Sequence, residues 1–225
     1  MGDPVYGRPA VSDGVVYFGS TDDYAYALKA ADGTLLWRSR TGDAIWDAPI
    51  VADGTMYVTS YDGYLYALGA ADGRQLWRFR VGPMPNGTDI GGGIVYAGTN
   101  NGGLYALRAG DGAVLWHQPL GTSVLSVMTT GGAVYVSAGD GNGYAFGAAD
   151  GAPRWRAPIG GFVAAPAVVN GLVIADRCDC TPSASDTNPN GEVFAFSGVD
   201  GSVRWDVHMP VAPMGPPVVA PLPLG

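Results

Sequence analysis

An Asp-Gly turn followed by a tryptophan, five residues after the aspartate, recurs five times in this chain. The pairs are Asp32 with Trp37, Asp72 with Trp77, Asp111 with Trp116, Asp150 with Trp155 and Asp200 with Trp205. The tryptophans are spaced 40, 39, 39 and 50 residues apart. Self-similarity at a period of about 40 residues is the signature of a repeat architecture and constrains the fold more than any single motif. Other positions keep step. Eleven residues before each Trp lies an aromatic (Tyr26, Tyr66, Tyr105, Tyr144, Phe194), always followed by alanine. Twenty residues before the first four lies a tyrosine: Tyr17, Tyr57, Tyr96 and Tyr135. In the fifth unit the matching residue is Ile174, displaced by 11 residues. An insertion around "DRCDCTPSASDTNPN" accounts for the displacement and for the 50-residue spacing.

Each unit reads as four short strands separated by Asp-Gly or Gly-Gly pairs, strong hairpin signals because glycine accepts the positive φ that tight turns need. In the second unit the strands fall around "APIVA", "TMYVTS", "YLYALGA" and "RQLWRFRV". Their apolar residues are consecutive rather than alternating, as in strands covered on both faces. Helical periodicity is absent. Four strands per repeat of about 40 residues predict an all-β propeller, one blade per repeat. Trp opens the last strand of each blade, and its recurrence in register with the fold makes it filler of the gap between blades. The predicted repeats are approximately 7–42, 43–82, 83–121, 122–160 and 161–210 of a single domain, 1–225. Residues 211–225 supply the first strand of a further blade or a tail, so the ring is expected to be incomplete or unusually small.

Composition sets limits on function. The net charge of −8 argues against nucleic acid. No apolar run is long enough to span a bilayer, and "MGDPVYGRPAV" has no signal-peptide character. Cys178 and Cys180 are too few and too close for a disulfide framework. Zinc calls for about four ligands, and only the two distant histidines, His117 and His208, could join them. Both histidines fall on predicted outer strands. Asp140-Gly141-Asn142-Gly143 reads as a turn rather than a calcium loop, and Asn86-Gly87-Thr88 is a weak glycosylation sequon. No nucleophile–base arrangement or phosphate loop is present. Catalytic, cofactor-binding and metal-binding residues are therefore all predicted as none.

The repeat "PIVADGTMYVTSYDGYLYALGAADGRQLWRFRVG" resembles those of the PQQ-like (quinoprotein) propeller family, over nearly the whole chain. The family includes PQQ-dependent alcohol and glucose dehydrogenases, BamB-type outer-membrane assembly lipoproteins and sensor domains of bacterial serine/threonine kinases. Its propellers mostly have seven or eight blades, against five Trp units here. The resemblance implies an extracytoplasmic location. It also leaves two function classes. One is a non-enzymatic scaffold or sensor that binds a protein or peptide. The other is a fragment of a PQQ-dependent dehydrogenase, which would need PQQ, calcium, cationic groups for the quinone carboxylates and an Asp base. Lys29 is the only lysine and Glu192 the only glutamate. The adjacent cysteines of some such enzymes are replaced by Cys-x-Cys. The scaffold reading, with no cofactor, is the favoured one.

Blade connectivity then sorts the loops. The loop between second and third strands shares one end of the blade with the loop to the next blade. The tight turns at Asp13, Asp53, Asp32, Asp72, Asp111, Asp150 and Asp200 fall on the other. The first end carries the candidate interaction face: Asp22, Asp23, Asp43, Trp46, Asp47, Asp62, Met84, Asp89 and Phe162, with Asp140 and the 178–190 insertion. Varied loops on a rigid scaffold are where binding usually sits, although Trp46 and Phe162 could equally plug a central channel. The carboxylates predict a neutral or basic partner. Arg38, Arg40, Arg78, Arg80, Arg154, Arg156 and Arg204 flank the tryptophans on outermost strands. There they would block edge-to-edge pairing or form a basic rim. Unless the ring is small and closed, uncovered terminal blades predict either self-association or weak protection of the first and last blades.

Overall fold

The computed structural model describes residues 4–158, 167–178 and 191–209. Among them there is no helix, and twenty strands form five four-stranded antiparallel sheets in sequential order. The first sheet holds β1 (Ala10–Ser12), β2 (Val15–Gly19), β3 (Tyr24–Lys29) and β4 (Leu35–Arg40). The second holds β5 (Ile50–Ala52), β6 (Thr55–Thr59), β7 (Tyr64–Gly69) and β8 (Gln75–Arg80). The third holds β9 (Pro85–Gly91), β10 (Ile94–Thr99), β11 (Gly103–Arg108) and β12 (Val114–Pro119). The fourth holds β13 (Val124–Thr130), β14 (Ala133–Ala138), β15 (Asn142–Gly147) and β16 (Pro153–Pro158). The fifth holds β17 (Ala167–Val169), β18 (Leu172–Cys178), β19 (Gly191–Ser197) and β20 (Val203–Met209). These are the blades of a β-propeller fold. The chain divides into two compact units, Met1–Gly121 with three blades and Thr122–Gly225 with two.

The Asp-Gly turns form for a local reason. In the five turns that precede the tryptophans, the aspartate carboxylate accepts a hydrogen bond from the backbone N–H two residues on, as Asp72 does from Arg74 at 3.0 Å and Asp150 from Ala152 at 3.0 Å. The following glycine takes a left-handed φ of 67 to 73°. At Asp200 the Ser202 hydroxyl joins the Ser202 N–H, and the two bonds hold the carboxyl down at about 2.

That turn is also the landing place for the tryptophan of the preceding blade. The Trp37 indole N–H donates to the Ala70 carbonyl at 2.9 Å, and the Tyr17 hydroxyl donates to the same oxygen at 3.3 Å. Trp77 and Tyr57 converge in the same way on the Ala109 carbonyl at 2.9 and 3.2 Å. In the second unit Trp155 and Tyr135 converge on Gly198 at 3.1 and 3.4 Å. Each indole lies flat over the turn glycine. A Cβ on Gly73 would meet Trp37 Cε3 at 2.5 Å, and one on Gly112 would meet Trp77 Cε3 at 2.7 Å. Gly201 stands in the same relation to Trp155. Around these junctions pack the apolar clusters of the first unit, with Met56, Val58 and Leu68 in one and Val95, Ala97 and Leu107 in the next.

Trp37 and Trp116 are buried at 8% exposure, and Trp77 and Trp155 are mostly covered, but Trp205 is 40% exposed.

Candidate functional site

The loop end of the first unit carries a stack of three exposed aromatic rings. Trp46 leads into β5, and its indole is sandwiched between Tyr6 at 4.4 Å (interplanar angle 14°) and Tyr61 at 5.7 Å (25°). Their exposures are 60% for Tyr6, 38% for Trp46 and 37% for Tyr61. Tyr6 and Trp46 occupy matching places in successive repeats, since "DPVYGRP" and "DAIWDAP" each set an aromatic three residues before a proline. The backbone is fastened alike in both. The Thr21 N–H donates to the Pro4 carbonyl at 3.2 Å, and the Tyr61 N–H to the Ala44 carbonyl at 2.9 Å. Sequence reasoning found Trp46 and missed Tyr6 and Tyr61. The alignment of those two heptapeptides was the available signal for Tyr6. Tyr61 precedes the loop aspartate and has no counterpart in the other repeats.

The predicted carboxylates separate into committed and available ones. Asp62 caps its own loop: it accepts from the Tyr64 N–H at 3.0 Å, from the Gly42 N–H at 3.0 Å and from the Tyr66 hydroxyl. Gly42 sits so close to that carboxylate that a side chain there would collide with it. Asp22 repeats the arrangement with Tyr24 N–H (3.2 Å) and the Tyr26 hydroxyl (2.6 Å), and Asp140 with Asn142 N–H (3.1 Å) and Tyr144 (2.7 Å). Partial burial works to raise the Asp22 and Asp140 carboxyls, but the tyrosine hydroxyls and loop donors outweigh it and leave both below the usual range. Burial, reinforced by the facing carboxylates, raises Tyr26, Tyr66 and Tyr144. These aspartates hold loops.

Asp47 is likewise turned inward. Burial pushes its carboxyl up, against hydrogen bonds from the Thr59 hydroxyl at 3.1 Å and the Gly87 backbone. Asp89 accepts from the Ile90 N–H at 2.9 Å, and Asp23 lies 3.9 Å from Arg40. Asp43 is exposed beside the ring stack, while its backbone carbonyl takes the Thr41 and Ser60 hydroxyls at 2.8 Å each. Met84 is 45% exposed, with Asn100 Nδ2 at 3.8 Å from its sulfur. Phe162 and most of the 178–190 insertion lie outside the described residues.

Three of the outer-strand arginines stack on tyrosines of their own blades. Arg38 covers Tyr24 at 4.8 Å, Arg78 covers Tyr64 at 4.8 Å and Arg156 covers Tyr144 at 5.5 Å. His117 takes the arginine's place in the third blade, stacked on Tyr105 at 4.2 Å, and His208 pairs with Glu192 at 2.8 Å. Among the described residues no cluster of three or more His, Cys, Asp or Glu could hold a metal ion.

Comparison with known proteins gives this architecture a family. The family model described as outer membrane protein assembly factor BamB matches residues 1–206. The chain belongs to that family. Solved structures that share the fold include the following three. BamB from Moraxella catarrhalis is 18% identical at a TM-score of 0.73, over 92% of this chain and 65% of that one. The computationally designed Ika8 protein is 16% identical at 0.75, over 89% and 61%. A chain of the mitotic checkpoint complex is 12% identical at 0.74, over 88% and 63%. The chain thus spans under two thirds of the length of each structure. No curated protein matches it by sequence.

Proposed function

We propose that this BamB-like propeller is a non-enzymatic scaffold outside the cytoplasm that holds a protein or peptide partner on the loop end of its first unit. The observation that carries the reading is the exposed stack of Tyr6, Trp46 and Tyr61. Half-exposed aromatic rings that are already ordered provide contact area at little entropic cost, and Trp and Tyr are enriched among residues that dominate interface energies. Asp43 adds one exposed carboxylate, and Met84 adds one adaptable thioether on the same loop end. A neutral or basic partner segment fits this chemistry. Family membership supports the reading, since the matching model describes an assembly factor.

The test is photocrosslinking in cells of the source organism. A benzophenone amino acid in place of Tyr61, the third ring of the stack, should trap a discrete partner band, and one at Leu76 on an outer strand should not. Crosslinks confined to Leu76 would move the site to the outer rim and overturn the assignment.

A further inference from the structure

Within the second unit, the junction of the fourth and fifth blades opens at its tight-turn end into a groove of 540 Å³, walled by Thr130, Tyr135, Arg154, Val168, Asn170 and Val199. Its charge is reversed relative to the junctions of the first unit. There the residue before each tryptophan is a leucine (Leu36, Leu76), and the turn between the first two strands of the blade begins with an aspartate (Asp13, Asp53). The same places here hold Arg154 and Gly131. The junction tyrosines register the change. Burial raises Tyr17, Tyr57 and Tyr135 alike, but Asp13 and Asp53 add to the rise in the first two, whereas Arg154 opposes it in the third. The groove also holds polar groups that the fold leaves unused. Arg154 Nη2 donates to the Gly132 carbonyl at 2.6 Å, which fixes the guanidinium at the rim, and its other N–H groups pair with none of the described residues. The Asn170 amide and the Thr130 hydroxyl have no partner among the described residues either. Beside them Val168 is half-buried and Val199 is 83% exposed, where the corresponding turns of the first unit carry only Ala71 and Gly110.

An apolar wall with a few convergent polar groups is the usual make-up of a small-molecule site, and the volume is within the range of such sites. The guanidinium presents parallel donors that match a carboxylate in geometry and charge. We propose that this groove binds a small organic carboxylate, its anionic end on Arg154 and Asn170 and its apolar body against Val168 and Val199. A bare anion would leave the valines in water, and a neutral apolar molecule would leave the guanidinium unpaired. The first-unit junctions lack the site because aspartate stands at the turn and leucine in place of the arginine. The groove belongs to the second unit and does not depend on the function proposed for the ring stack.

The experiment is an amide NMR titration of the full chain with three probes at constant ionic strength: 3-phenylpropionate, its uncharged amide 3-phenylpropanamide, and inorganic phosphate. The acid should give saturable shifts at Gly131, Asn170, Gly171 and Val199. The amide lacks the charge and phosphate lacks the apolar body, so each should bind about tenfold more weakly or worse. Arg154→Gln should weaken the acid about tenfold and leave the amide where it was. Arg154→Lys keeps the charge without the paired donors and should fall between Gln and wild type. Amide signals that stay in place away from the groove show that both variants are folded. No saturable shift at these four residues, equal affinity for acid and amide, or wild-type affinity in Arg154→Gln would overturn the proposal. Phosphate binding as tightly as the acid would overturn it too, because the groove would then be a site for bare anions.

Discussion

Two glycines in the same turn of successive blades separate the cost of backbone strain from the cost of losing a tryptophan seat. Gly33 and Gly73 both follow the turn aspartate and both have a φ near 70°. They differ in that Trp37 lies over Gly73 and nothing lies over Gly33. Gly33→Ala should cost about 1–2 kcal/mol, the penalty for an L-residue in the left-handed region. Gly73→Ala carries the same strain and a collision, since its Cβ would stand 2.5 Å from Trp37 Cε3 and 2.7 Å from Cδ2. Restoring ordinary contact needs a retreat of about 1 Å, and a gap of that size on the ring's other contacts forfeits a quarter to a half of their attraction. Removing such a ring altogether costs about 3–5 kcal/mol, so the shift should cost about 1–2. The indole hydrogen bond to Ala70, 2.9 Å long, would stretch or break for about 1 kcal/mol more. Gly73→Ala should therefore destabilise by about 3–5 kcal/mol in total, roughly 2–3 beyond Gly33→Ala. Equilibrium urea unfolding in dilute solution measures both. In a Trp37→Ala background the two substitutions should cost the same. If Gly73→Ala cost no more than Gly33→Ala in the wild-type chain, the turn glycine would not be the seat of the tryptophan.

Asp47→Asn should raise the melting temperature at neutral pH. Its carboxyl is raised above 3.8, so ionisation works against folding at pH values above the folded pKa and has no effect below 3.8, where the gain should vanish. Asp200 behaves oppositely: with a folded value of about 2 against 3.8, its contribution is complete above 3.8 and is lost as the pH falls toward 2. A carboxyl-carbon NMR titration should follow that midpoint directly. Asp62→Ala removes the acceptor for three donors and should cost more stability than Asp43→Ala, whose carboxylate is exposed; thermal melts compare them. Trp46→Ala should abolish partner crosslinking from Tyr61 and leave the urea midpoint nearly unchanged, given its exposure.

The framework was legible because the fold repeats its solution and the sequence repeats with it. Trp spacing gave the blades, and the Asp-Gly pairs gave the turns. What the linear sequence hid was the partner of each motif. Trp37 is served by a glycine 36 residues later and a tyrosine 20 residues earlier, and neither relation is visible until the blades are side by side. The loop aspartates misled for a similar reason. Asp22, Asp62 and Asp140 each precede a tyrosine by four residues, which reads as two unrelated polar positions until the strand brings the hydroxyl back over the carboxylate.

These commitments narrow what a partner can read. At the tight-turn end, Gly73, Gly112 and Gly201 with Trp37, Trp77 and Trp155 are consumed in holding blades together. At the loop end, Asp22 and Asp62 bind their own loops, Asp47 faces inward, and the Gly42 position is closed by the carboxylate beside it. Of the sequence-predicted face within the described part of the first unit, Trp46, Met84 and Asp43 remain with substantial exposed surface, joined by Tyr6 and Tyr61. An interface built from three stacked rings and one exposed carboxylate draws its energy from apolar contact. Its affinity should then fall only modestly with salt, whereas a face of six free carboxylates would lose most of its attraction as the Debye length shrinks below about 10 Å. Partner capture that collapsed at moderate ionic strength would mean that the carboxylates, rather than the rings, carry recognition.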